Sequence, residues 1–514
     1  YLSCGTVSPE GQFAVDEERD SISTSSPEMT RLLWYFVMRH PEFRVPELLS
    51  CAEMADLPSP LLFEESLRPK SVFLRGSIDR AEDAIRVVQR SMLLRSVLEL
   101  AGEGNTLEEL NASLRQNTEP LLRGMTPDTR FKFVIESFGT PATRFDYRRH
   151  FFEEALQGIP LIGKVDLKNP EVTFVALVDF SAEREAGEQP MWYCGRLLGT
   201  SRREDILKYD LKKREYIGTT SMDAELAMIM ANMACLGPGS TMLDPYCGTG
   251  GLLVAASDVG AAVWGCELDG RILKGECGIR IGKDIMDNYR QYELPPPQDL
   301  IRNDSYQFMW RSDEFFDAIL TDPPYGVREP SKVIALRENH PASKETVEIR
   351  MKEGTHIPQR QHRGLDLIML DVLEYSAKTL RVGGRVVFWL PCPVNFSEEE
   401  LPQNPHLELR FNSEQPLSHR WSRRLLTYQK IRPLVPEENH SFYLQGSSSA
   451  LASLRDLVFS QSTEEEVLAE LQEAQQSKLS RKQRRGIVRR LDKAQRRKRR
   501  ESEERGSASS SHHQ

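Results

Sequence analysis

Nothing in this 514-residue chain pairs its cysteines: the eight stand singly at 4, 51, 194, 235, 247, 266, 277 and 392, and no C-x-x-C spacing occurs. That excludes a zinc knuckle or a dithiol redox motif as the source of function. Scattered single thiols fit a reducing, intracellular compartment. No apolar run approaches the roughly 18 residues that a membrane helix needs. Residues 1–27 lack a signal-peptide core and an Arg-rich amphipathic pattern. They read as a disordered N-terminus, and because the chain opens on Tyr1 rather than Met its start is expected to be incomplete. No internal repeat is visible.

A global positive field is also missing. The net charge is −9, yet thirteen Lys/Arg against one Asp between Lys478 and Arg500 make a local +12, which leaves the remainder at −21. A polyanion would therefore be gripped by local patches or by this tail, not by the body as a whole.

At about 150 residues per domain, the length calls for some three units. Residues 28–190 alternate strand-like and helical patterns and read as an α+β module. It holds a strand over 31–37, a helix after Phe43 with Pro46 in its first turn, and strands over 131–137 and 172–178. Apolar spacing predicts one amphipathic helix over Ala81–Ala101, closed by Gly104, and Thr106 with Glu109 predicts a capped helix start. Residues 191–215 form a basic linker whose Arg and Lys side chains suit either a solvated hinge or RNA contact. Residues 216–435 show the β-α alternation of a mostly parallel sheet, interrupted by a charged, structure-poor insertion at 327–363. Residues 436–514 read as linker, acidic helix and basic disordered tail.

The chemistry concentrates where predicted strands end. Leu243-Asp244 leads into a turn containing Gly248, Gly250 and Gly251, where backbone can approach a ligand and the following helix N-terminus favours partial negative charge. About twenty residues on, the strand Ala262–Cys266 stops at Glu267, which can accept two ribose hydroxyls; Asp269 is an alternative. A third strand end carries Asp304, placed for an adenine amine, and a fourth carries Asp322. Four acidic positions at consecutive strand ends match the ligand edge of a doubly wound sheet and point to a nucleoside cofactor. Asp244 has a second reading as a cap on the glycine turn. Met230 and Met233, on one helix face with Leu226 and Ile229, read as core.

Asp322-Pro323-Pro324-Tyr325-Gly326 carries the most specific signal. Two prolines fix φ and remove two backbone donors, so the strand must stop there. An exocyclic base amine needs two acceptors and a flat surface for the ring. Asp322 and the Pro323 carbonyl can supply the first and Tyr325 the second. The bland alternative is a Pro-Pro turn with an incidental tyrosine.

In this order, these residues resemble the S-adenosylmethionine-dependent class I methyltransferases, a Rossmann-like fold. More narrowly, Tyr216–Glu225, Asp244–Leu253, Asp322–Gly326 and Gly383–Pro391 resemble the catalytic subunit of eukaryotic tRNA guanine(10)-N(2)-methyltransferase. Phe43–Leu48 and Gly163–Pro170 resemble that family's ferredoxin-like and THUMP modules, and the likeness continues through Leu417–Lys430. Tyr246 and Glu267 depart from the family's usual Phe and Asp. The resemblance implies catalytic roles for Asp322, Pro323, Pro324 and Tyr325. It implies S-adenosyl-L-methionine binding by Thr220, Asp244, Gly248, Gly250, Glu267 and Asp304, with no metal. It further implies tRNA as substrate, a small zinc-binding activator subunit as partner, and a cytoplasmic location, with nuclear access open through the basic tail. The rival readings are a THUMP methylase on another RNA, an adenine-N6 methylase, and a non-catalytic tRNA-binding factor.

Overall fold

The computed structural model describes residues 29–434, apart from 65–66, 68–70, 140–149, 182–188, 281, 306–307, 311–313, 325–331, 335–359, 363, 395 and 419. Two sheets organise it. The first has eight strands in the order β2-β3-β1-β4-β8-β7-β5-β6. These are β1 (Thr30–Phe36), β2 (Leu62–Phe63), β3 (Phe73–Ile78), β4 (Leu94–Gly104), β5 (Arg130–Phe138), β6 (Lys164–Val165), β7 (Val172–Asp179) and β8 (Met191–Thr200). Helices α1 (Arg44–Met54), α2 (Ala81–Arg90), α3 (Leu107–Gln116) and α4 (Glu119–Leu122) complete the unit. As the capping pattern predicts, Thr106 caps α3 by accepting from Glu109 N.

The single helix expected over 81–101 is two elements. α2 stops at Arg90, and β4 runs through the centre of the sheet. Ser91 Oγ accepts from Leu93 N and Leu94 N, while the buried Glu47 carboxylate takes Met92 N and Leu93 N. Those donors are therefore unavailable to a continuing helix. Val97, Leu98, Leu100 and Ala101 are all buried, as befits a strand covered on both faces, a pattern that local periodicity cannot tell from helix.

The basic segment also changes meaning. Arg196 lies in β8, so the linker begins after Thr200 and not at 191. Arg202 pairs with Asp258, Arg203 with Glu225 and Met92 O, and Arg214 is 2 % exposed. Arg203 thus joins the two units, while Lys208, Lys212 and Lys213 of the same segment stay exposed as a solvated face.

The second sheet has seven strands in the order β11-β10-β9-β12-β15-β17-β16. They are β9 (Thr241–Asp244), β10 (Ala262–Glu267), β11 (Asp299–Arg302), β12 (Phe316–Thr321), β15 (Leu380–Pro393), β16 (Leu407–Pro416) and β17 (Trp421–Lys430). From β11 to β15 neighbours run parallel, whereas β17 is antiparallel to both β15 and β16. Helices α5 (Ala224–Met233), α6 (Gly251–Asp258), α7 (Gly270–Leu273), α8 (Ile285–Tyr292) and α9 (Leu365–Thr379) connect the strands. Asp223 caps α5, its side chain accepting from Glu225 N. Within the insertion, β13 (Lys332–Ile334) pairs antiparallel with β14 (Arg360–His362), so its two ends form a ribbon.

One apolar core runs from α1, α2 and β4 into α5, α6 and β15. Phe43 meets Trp389 across this junction with ring centroids 5.9 Å apart. Arg385, 1 % exposed, reaches Met233 O at 3.0 Å, Ser50 Oγ at 3.3 Å and the Glu53 carboxylate.

Candidate active site

The parallel strands β9, β10 and β12 end at one edge, and a cavity of about 800 Å³ opens there. Its wall includes Thr220, Asp244, Gly248, Asp322, Pro323 and Pro324. Sequence reasoning therefore placed six of its ten site residues on one surface. Gly250, Glu267 and Asp304 are not among its lining residues, and Tyr325 lies outside the described residues.

Local geometry explains the arrangement. β9 ends at Asp244, whose Oδ1 accepts from Tyr246 N at 3.0 Å and from Thr321 Oγ1 at 2.9 Å. The second bond ties β9 to the residue just before Asp322. Asp244 thus caps the turn, as its second reading has it, and also lines the cavity. Gly248 (φ 48°) and Gly250 (φ 79°) take the left-handed conformation that side chains disfavour. A Cβ on Gly250 would also stand 3.0 Å from Ile285 Cγ2.

Glu267 buttresses this loop: Oε2 accepts from Gly248 N at 3.1 Å and Oε1 from Asp269 N at 2.8 Å. Asp269 instead caps α7 and pairs with Arg271. Of the two acidic candidates, Glu267 is the one joined to the glycine loop. Asp304 is 6 % exposed, and its neighbour Ser305 ties this strand end to the turn through a hydrogen bond to Pro245 O. Opposite the loop runs 216–223. Asn288 exchanges two hydrogen bonds with the Tyr216 backbone, and Ser221 Oγ bonds to Gly218 N and Thr249 Oγ1, both at 2.8 Å.

Burial pushes the Asp244 carboxyl up to about 7; the bonds from Tyr246 and Thr321 oppose that, and the nearby Asp322 and Glu267 carboxylates add to it. Three carboxylates crowding one buried edge favour a ligand that carries positive charge or many donors. A sulfonium nucleoside with an amino group meets that description, and the glycine cradle admits close backbone approach. No group of three or more metal-ligating side chains occurs among the described residues.

Sequence reasoning missed Leu417, Trp421 and Arg423, which also line the cavity. The signal was topological. β17 runs opposite to its neighbours, so its first residues, rather than its last, lie at the ligand edge. Cys277 and Ile272 complete that wall.

A glycine-rich loop after the first parallel strand, acidic strand ends and Asp-Pro-Pro after the fourth define a class I methyltransferase domain. Two family models match: the Tmrp11 THUMP N-terminal domain over residues 30–203 and the RMKL-like methyltransferase domain over 212–357. The chain is 34 % identical over 436 residues to tRNA (guanine(10)-N(2))-methyltransferase TRMT11 of Gallus gallus, covering 81 % of this chain and 92 % of that protein. It is also 34 % identical over 414 residues to the tRNA (guanine(10)-N(2))-methyltransferase of Saccharomyces cerevisiae, covering 78 % and 93 %. Among solved structures, TrmN from Thermus thermophilus aligns with a TM-score of 0.38 and 20 % identity over 78 % of this chain and all of that one, which adds nothing to the assignment. The chain belongs to the tRNA (guanine(10)-N(2))-methyltransferase family.

Proposed function

We propose that this chain transfers a methyl group from S-adenosyl-L-methionine to the N2 amine of guanosine 10 in tRNA. The observation that carries this reading is that Asp322, Pro323 and Pro324 open onto the same cavity as the Gly248 loop. An amine acceptor and a cofactor cradle on one wall are what in-line transfer between two ligands requires. The cofactor supplies an electrophilic methyl on a sulfonium. Thr220, Asp244 and Gly248 would line its seat, with Gly250, Glu267 and Asp304 holding that seat in shape.

The guanine N2 lone pair is delocalised into the ring and is a poor nucleophile. Asp322 and the Pro323 carbonyl accept its two N–H bonds, aim the lone pair and offset the positive charge that develops on nitrogen, and the Asp322 carboxylate takes the proton that the methylated amine sheds. Thr321, tied to Asp244, fixes the strand end from which Asp322 projects. The base must leave its helical stack to enter the cavity. Tyr325 is assigned the stacking role by its place in the motif. The THUMP-type module would hold folded tRNA by shape and phosphate contacts.

A small zinc-binding activator subunit is the partner that this reading brings with it, and the cytoplasm its place of work. The 476–514 segment is assigned an electrostatic RNA grip: its deletion should lower the salt slope of tRNA binding. Mass spectrometry of nucleosides from tRNA incubated with the chain and S-adenosylmethionine, with and without the activator, tests the main reading. N2-methylguanosine is expected; N6-methyladenosine, or no product in either condition, would overturn it.

A further inference from the structure

Arg423 stands in the cavity wall with Asp322. It sits two residues into β17, on the same strand face as Trp421, and both line the cavity. β17 pairs Arg423 with Pro391 of β15 and with Gln415 of β16, so the side chain is mounted on sheet and not on a loop. Its orientation is fixed twice. Nε donates to Gln415 Oε1 at 2.6 Å, and the guanidinium carbon lies 3.9 Å from the centre of the Trp389 ring. Trp389 is itself fully buried. A guanidinium stacked on an aromatic face and anchored through Nε keeps both Nη groups for something else. No hydrogen bond from either Nη occurs among the described residues.

The electrostatics agree. Burial lowers the basicity of Arg423, and the Asp322 and Asp223 carboxylates raise it again, so the cation lies within the field of the amine-accepting aspartate. A base held by its N2 amine at Asp322 presents its O6 and N7 acceptors further along the same ring. A planar fork of donors reads that pair of atoms, and reads adenine badly, because N6 is itself a donor.

We infer that Arg423 is the guanine-reading residue of this cavity, donating through its two Nη groups to O6 and N7 of the base whose N2 amine is held by Asp322. Trp421 beside it supplies base-blind ring contact. The inference rests on the guanosine reading above and deepens it: Asp322 sets which amine reacts, and Arg423 sets which base is admitted.

The test is a cycle between one side chain and one base atom. tRNA is prepared with guanosine or 7-deazaguanosine at position 10; the analogue keeps N1–H, O6 and the N2 amine and loses only N7. kcat/KM is measured with the full chain and its activator subunit. For the wild type the analogue should cost about 10-fold, part of the worth of a bidentate contact. For Arg423→Met, guanosine itself should fall roughly 10- to 100-fold while the analogue costs less than about 2-fold more. Any effect of the analogue on the tRNA is common to both enzymes and cancels. Trp421→Ala should lower both substrates alike and keep the wild-type ratio. Cofactor titration and thermal unfolding show whether each variant folds. Arg423→Gln, polar but too short to reach, replaces the Met variant if that one does not.

An equal cost of the analogue in wild type and Arg423 variants would overturn the inference. No transfer by the wild type to unmodified tRNA would remove the guanosine reading as well, a different and distinguishable failure.

Discussion

Two buried carboxylates of this molecule, Glu47 and Asp244, are treated differently by their surroundings. At the junction of the two sheets, Glu47 is fully buried and accepts from Ser91 Oγ, Met92 N, Leu93 N and Asn232 Nδ2, all between 2.7 and 2.9 Å. Burial still raises its pKa, but four donors oppose that. At the cavity edge, Asp244 has two donors among the described residues and faces two further carboxylates. The first arrangement fixes how two units sit together. The second keeps negative charge crowded where a ligand would relieve it. Burial alone therefore does not mark a site; the balance between donors and like charge does.

That contrast can be broken in several ways, taken here from the largest effect on stability to the smallest. Glu47→Ala leaves four donors facing a void and should cost about 4 kcal/mol in urea unfolding. A loss below about 1 kcal/mol would mean that the junction is not held by this carboxylate. Gly250→Val forces a β-branched residue to positive φ against Ile285 and should cost roughly 2–3 kcal/mol, along with most cofactor affinity in a calorimetric titration.

Asp244→Asn tests the cavity side of the comparison. The folded pKa lies above the unfolded value, so the native state binds the extra proton between about pH 4 and 7. Stability owed to this group is full below pH 4 and is lost as pH rises through 7. The Asn variant should flatten that slope and gain on the order of 2 kcal/mol over the wild type at pH 8. Parallel melting curves of the two proteins across that range would contradict it. Thr321→Val removes a single bond to the same carboxylate and should cost about 1 kcal/mol, with a slightly steeper pH dependence.

The parallel half of the fold could be read directly. β9, β10 and β12 end at or just before an acidic residue, and a Gly-rich turn after β9 and two prolines after β12 mark the stop. Asp244, Gly248 and Asp322 were found this way because their neighbours in sequence are also their neighbours in function. Arg423 and Trp421 were not. Their place at the site depends on the reversed direction of β17, which no local pattern near residue 421 records. The division of 81–101 into helix and strand failed for a related reason. What ends α2 at Arg90 is Glu47, forty-odd residues away, taking the backbone donors that a longer helix would use. Arg202 and Arg203 looked like a solvated basic face because the partners that hold them, Asp258, Glu225 and Met92 O, lie far along the chain.

Single-turnover methyl transfer to guanosine 10 by the wild type and by Asp322→Asn, with tRNA and cofactor binding measured separately, tests the central claim most directly. The variant should bind both ligands within about 3-fold of the wild type and transfer roughly 100- to 1000-fold more slowly. Transfer at a near-normal rate would show that the Asp322 carboxylate does not hold the amine, and the assignment of this edge as the methylation site would fall.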